Sequence, residues 1–179
     1  MRWLIWTVLV GGLAFGVWST LQPDYSQVVD FTSRPYDYSA LLDLEPHGRF
    51  DPEADFKGDY ALIYYFSELT CNTCTDRDLV HVANWFQRFG DRVDFLLVVH
   101  GQNKMYLKRL KRLGKVNYPI LLEEHRGQAG FGASVIALVD KTKGEVIASY
   151  HSTSDDTLAP AISKLEEKLE SVIHAAASR

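Results

Sequence analysis

Cys71 and Cys74 are the only cysteines in the 179-residue chain, and only Asn72-Thr73 separates them. A thiolate is both nucleophile and leaving group in disulfide exchange, so two sulfurs at this spacing can carry the whole reaction. Cys71 forms a mixed disulfide with a partner, and Cys74, three residues on and on the same helical face, attacks it. The exchange ends in a Cys71–Cys74 disulfide and a reduced partner, or runs in reverse. Two structural uses compete with this one. In the chain-entropy model a staple closing four residues stabilises by only about 2 kcal/mol, less than one closing a long loop. A zinc site normally needs four ligands, and only scattered histidines remain to complete one. Redox chemistry is the preferred reading, and it calls for no cofactor and no metal.

The flanking residues place the pair. Tyr60-Ala-Leu-Ile-Tyr-Tyr-Phe66 is short, apolar and rich in branched and aromatic side chains, as a strand buried on both faces is. Beyond the cysteines Leu79, Val82, Ala83 and Phe86 fall at helical spacing, with Asp76 and Asp78 in the early turns and Gly90 as a stop. The cysteines therefore sit where a strand turns into a helix, with Cys71 at the helix mouth. There the unpaired amides and the positive helix end stabilise a thiolate.

Further elements follow in order. Val93–Val99 reads as a second buried strand, and the strand-helix-strand order implies a parallel crossover. Asn103 caps an expected helix to Leu113, whose basic side chains (Lys104, Lys108, Arg109, Lys111, Arg112) suit a solvated face or an anionic surface. Pro119–Glu123 is a short strand, and residues 124–132 are a loop. Ser134–Asp140 and Glu145–Tyr150 form a hairpin through a Lys-Thr-Lys-Gly turn. A last helix is expected from about Asp155–Thr157, with Pro160 in its first turn and Leu158, Ile162, Leu165, Leu169, Val172 and Ile173 as its apolar stripe.

Composition sets the frame for these elements. With 46% hydrophobic residues the chain can bury one core, and a net charge of −4 argues against nucleic acid as a partner. Trp3–Leu21 carries no charge over nineteen residues. As a helix it would span roughly 28 Å, close to a bilayer core. Residues 1–21 are thus expected to be a transmembrane anchor, with a cleaved signal peptide as the competing reading. Arg2 before the span and Asp24 after it send the rest of the chain across the membrane. Residues 22–58, with four prolines and eight acids against three bases, read as an acidic tether, with a short helix or hairpin possible around Tyr38–Leu44. Residues 59–179 then form the domain.

Asp55-Phe-Lys-Gly58, the strand, Phe66-Ser-Glu-Leu-Thr-Cys71 and Cys74 together resemble the TlpA/ResA group of membrane-anchored thioredoxin-like proteins. Tyr118-Pro-Ile-Leu-Leu122 is similar to the strand this group inserts, and Gly132–Asp140 to its next core strand. The resemblance covers about residues 55 to 175. It implies an α/β fold, a thioredoxin-like three-layer sandwich with a central mixed β-sheet flanked by helices, behind an N-terminal transmembrane helix. It also implies a thiol-disulfide oxidoreductase, single-pass in the inner membrane with its domain in the periplasm or another extracytoplasmic space. The implied partners are cysteine-containing extracytoplasmic proteins, a membrane redox donor or acceptor, and the lipid bilayer through residues 3–21.

The chain departs from the family pattern at three positions. Thr70 replaces the usual tryptophan before the first cysteine, Ser134 stands at the position of the cis-proline, and Tyr65 occupies that of a buried aspartate. Thr70 and Ser134 are thereby the implied substrate-binding positions. Glu68 is a candidate to move the second cysteine's proton, or else an exposed loop carboxylate. Of the histidines, His81, His100, His125 and His151 belong to the domain and are candidates to approach the cysteines. Two other readings stay open: a Sco-like copper-handling protein, because soft thiolates select Cu(I), and a non-catalytic thioredoxin-like binding module.

Overall fold

The unbroken apolar run at 60–66 has no side suited to water, and the rest of the chain is built around it. The computed structural model describes residues 25–48, 51, 56–67, 72–101, 107, 110, 116–131 and 133–177. In chain order the elements are β1 (Val29–Asp30), β2 (Arg34–Pro35), α1 (Ser39–Leu42), β3 (Glu45–Pro46), β4 (Tyr60–Ser67), α2 (Asn72–Phe89), β5 (Asp94–His100), β6 (Ile120–Glu123), β7 (Val135–Asp140), β8 (Glu145–His151) and α3 (Ile162–Ala177). The expected membrane span, Glu68, Thr70 and Cys71 lie outside the described residues, as does most of the basic stretch 103–113. Among the described residues no helix is long and apolar enough to cross a membrane.

One mixed sheet of eight strands runs β1-β8-β7-β4-β5-β6-β3, with β2 also paired to β8. β4 lies between parallel β5 and antiparallel β7, so both its edges are satisfied and residues 61–66 are buried. Its side chains alternate strictly between the two faces. Leu62, Tyr64 and Phe66 join the core beneath α2 and α3, whereas Ala61, Ile63 and Tyr65 join the core on the other face. A bulge at β7–β8 places Leu138 opposite Ala148 and Val139 opposite Val146, so Ile147 is the extra residue. Val146 and Ala148, two apart, consequently face opposite cores.

On α3 the helical layer fits the stripe read from the sequence; on α2 Leu79 and Val82 fit, Ala83 and Phe86 are half-buried, and Trp85 and Phe89 take the inward positions instead. On α2, Leu79, Val82, Trp85 and Phe89 are buried, and on α3 Ile162, Leu165, Leu169, Val172 and Ile173 meet the same core. Arg88 of α2 clamps the two helices by bonding both Glu166 and Glu170. The last helix begins later than expected. Asp155 accepts from the Thr157 amide (2.8 Å) and hydroxyl (2.6 Å), and its carbonyl holds the Leu158 and Ala159 amides. That closed turn leads into a 3-10 turn at Ala159–Ala161 containing Pro160, and the α-helix starts only at Ile162.

The acidic segment read as a tether is largely built into the sheet. β1 and β2 extend it beyond β8, β3 pairs with β6, and α1 plugs Leu41 into the face opposite the helices. Ala129 and Phe131 complete that cover, with the Tyr36 hydroxyl donating to the Ala129 carbonyl at 2.8 Å. Asp94 fastens the segment's end. Its Oδ1 accepts from the Lys57 and Gly58 amides at 3.0 and 3.1 Å, and its Oδ2 pairs with Lys141, whose ammonium lies over the Tyr38 and Phe56 rings. The third layer is therefore one short helix with loops.

Leu41→Ala separates a structural segment from a spacer. With Leu41 fully buried, the substitution should cost about 2 to 4 kcal/mol, seen as a lower urea midpoint at unchanged slope. A segment that merely spaced the domain would leave the midpoint where it was.

Candidate functional site

Four residues separate the end of β4 from the start of α2, so the residues after Cys71 lie at the carboxyl end of a central strand, as the sequence anticipates. The inward stripe of the helix runs Cys74, Thr75, Asp78, Leu79, Val82, Trp85, Phe89, spaced at three and four residues and buried throughout. Cys74 is 4% exposed. It sits beneath the helix, facing the sheet rather than solvent.

Asp78 is one turn further along the same stripe and is 0% exposed. Although it lies in the early turns of the helix, it points into the core. One oxygen, Oδ1, lies 3.3 Å from Arg77 Nε. The other, Oδ2, is buried without a hydrogen bond, as are the neighbouring Ser152 Oγ and Tyr64 hydroxyl. Burial pushes the Asp78 carboxyl above its ordinary range, against the opposing pull of Ser152, Arg77 and His81. The same charge helps raise the Tyr64 phenol after burial has done most of it. Burial, then Asp78, pushes Tyr150 up to about 12.

Arg77 ties this end of α2 to the chain beyond β8. Its Nη2 donates to the Thr153 carbonyl at 2.6 Å and lies 3.5 Å from the Tyr150 hydroxyl, while Nη1 is 3.9 Å from Asp156. Both Cys74 and Asp78 act electrostatically on Arg77 and on Tyr150, which places the thiol and the carboxyl around the same two side chains. Ser134 belongs to this end of the sheet too. It is half-buried, and its carbonyl accepts from the Ser152 amide at 3.1 Å. Among the described residues no peptide bond is cis.

Tyr65 reaches a different polar centre. Its hydroxyl donates to Glu123 Oε2 at 2.7 Å, the Ala129 amide donates to Oε1 at 2.7 Å, and His100 Nδ1 lies 3.3 Å from Oε2. Tyr65 belongs to the core on the face away from α2, so this carboxylate serves the loop at 124–131 rather than Cys74. Of the domain histidines, His81 is the one that acts on Asp78. His125 is exposed, and His151 lies by Arg34 and Asp30 with burial holding it below its usual value. Among the described residues no three histidine, cysteine or acidic side chains come together as a metal site.

The sequence had not singled out Arg77, Tyr64, Tyr150 or Ser152, and it had read Asp78 only as an acid of the early helical turns. One signal was available, an acid standing within the apolar stripe four residues after Cys74.

No family model and no curated protein matches the chain. Solved structures do. A thioredoxin-like protein in its oxidized form superposes with a TM-score of 0.54 at 14% identity, over 72% of this chain and 86% of that one. A DsbF homologue from Corynebacterium diphtheriae gives 0.45 at 15%, over 76% and 92%, and the exposed lipoprotein thioredoxin Etrx1 of Streptococcus pneumoniae 0.44 at 22%, over 64% and 88%. The fold is thioredoxin-like, a mixed central sheet with helices.

The raised carboxyl of Asp78 fixes a sign. The native state keeps a proton that the unfolded chain has released, so stability falls as pH rises from the ordinary carboxylate value of 3.8 through the native one, and is level above it. Asp78→Asn abolishes this titration. Urea unfolding across that window should show the variant gaining on the wild type as pH rises, with a constant difference above it.

Proposed function

We propose that this protein is a thiol-disulfide oxidoreductase of the TlpA/ResA kind, held in the membrane by residues 3–21 and acting outside the cytoplasm on cysteine-containing proteins. A membrane redox donor or acceptor resets it. The observation that carries the reading is Cys74, buried at the third position of a helix that follows the central strand of a thioredoxin-like sheet. With Cys74 turned inward, contact with a partner falls to Cys71, three residues earlier in the sequence, and Cys74 works from beneath. The uncharged N-terminal stretch supports the anchor. β6, which overlaps the Tyr118–Leu122 segment resembling the group's inserted strand, extends the sheet in parallel beside β5.

In the reducing direction Cys71 thiolate attacks a partner disulfide, one partner sulfur leaves as thiolate, and the other stays bound to Cys71. Cys74, having lost its proton, attacks Cys71 Sγ. The Cys71–Cys74 bond forms, the bond to the partner breaks, and its second sulfur leaves and takes a proton. The cysteine pair is oxidised by two electrons and the partner reduced by two. Thr70 and Ser134 flank the bound partner.

Cys74→Ser in the full-length chain should accumulate mixed disulfides that reducing agent releases, visible as slower bands on non-reducing gels. Cys71→Ser should accumulate none. Failure to see any Cys71-dependent adduct, with no disulfide reductase activity in the wild type, would overturn the reading.

A further inference from the structure

We propose that Asp78 takes up the proton that Cys74 gives up when it resolves the mixed disulfide. This rests on the oxidoreductase reading and assigns one of its steps.

Three observations meet at Asp78. The first is position. Residues 74 and 78 are separated by one helical turn, which brings their side chains alongside each other, and both belong to the buried stripe of α2. The second is an unfilled oxygen. Oδ2 is buried and accepts no hydrogen bond, and such an atom carries a large desolvation cost while it is charged and unpaired. A proton arriving there removes the cost. The third is the lack, among the described residues, of an equivalent acid nearby. Glu123, the other fully buried glutamate or aspartate that the sheet's carboxyl end presents, already has two short hydrogen bonds and lies on the opposite face.

The surroundings pull the carboxyl both ways. From its own helix Arg77 and His81 act on it; from β4, Tyr64; from β8, Tyr150; from the segment beyond, Ser152, with Asp156 on the far side of Arg77, and Cys74 acts on the same Arg77 and Tyr150. Burial raises the carboxylate's affinity for a proton above the ordinary value, while Ser152, Arg77 and His81 support the anion that accepts it. That balance brings the carboxyl toward the pKa of a thiol and eases transfer between them.

The step balances. Cys74 S–H gives its proton to Asp78 Oδ2, and its electron pair forms the bond to Cys71 Sγ. The sulfur held by Cys71 departs with the pair from the broken bond and is protonated by solvent. Asp78 later returns its proton to solvent, so it is unchanged over the cycle.

The test uses full-length reduced protein and dithionitrobenzoate, whose first thionitrobenzoate release reports attack by Cys71 and whose second reports resolution by Cys74. Asp78→Asn should leave the first release near the wild-type rate and slow the second by roughly a hundredfold near neutral pH, the lower end of general acid-base contributions. The deficit should shrink toward alkaline pH, where Cys74 ionises to solvent unaided. Asp78→Glu, which keeps the acid, should recover most of the rate. A second release in Asp78→Asn at the wild-type rate overturns the proposal. So does a deficit of the same size at every pH, which marks a packing role alone. If Cys74→Ser yields no Cys71 adduct in the same assay, the oxidoreductase reading itself falls, a result distinct from either of these.

Discussion

The two-residue period of β4 decides where everything else stands. With a strand hydrogen-bonded along each edge, it cannot slip by one residue without exchanging its two cores, and both cores are filled. Alternation then sends Tyr64 under α2, next to Asp78, and Tyr65 to the opposite face, next to Glu123. Adjacent tyrosines thus belong to separate polar centres with different occupants. The same constraint fixes the end of the strand from which the chain must turn into the cysteine helix, so the position of Cys74 follows from a pairing register several residues away.

The strongly periodic segments were legible in the sequence because each buries a face. β4, β5, β7 and β8 fall where their apolar runs put them, with ends shifted by a residue or two, and the helical stripes mark α2 and α3, the latter starting several residues later than its pattern suggested. The segment at 25–46 was not. Its strands are two residues long, too short to show a period, and its acids and prolines are the composition of a solvated linker. It is held instead by pairing to the β8 and β6 edges and by single inserted side chains such as Leu41, features that belong to tertiary contact rather than local pattern.

Covering those edges has a physical use. An open edge strand with unpaired amides invites pairing with another chain. Here short edge strands, two of them with a proline, occupy the β8 and β6 borders, and Pro35 and Pro46 cannot donate to a further strand. The segment that appears in sequence as a spacer closes the sheet at both ends.

The two buried carboxylates show why composition alone could not sort structural from reactive acids. Glu123 is saturated by the Tyr65 hydroxyl and the Ala129 amide, with His100 nearby, and a carboxylate so held stays an acceptor and pins the loop that supplies one of its donors. Asp78 has Arg77 at one oxygen, offset at 3.3 Å, and no hydrogen bond of good geometry at the other, with Ser152 beside it favouring the anion. A core selected only for stability would have paired that oxygen or replaced the residue with an apolar one, since half-satisfied buried charge is worse than either. The cost is borne one helical turn from the single described thiol, on the face that thiol shares. Placement of a penalty beside a reactive group is the pattern expected when the unsatisfied state is a stage of the chemistry rather than a flaw in packing.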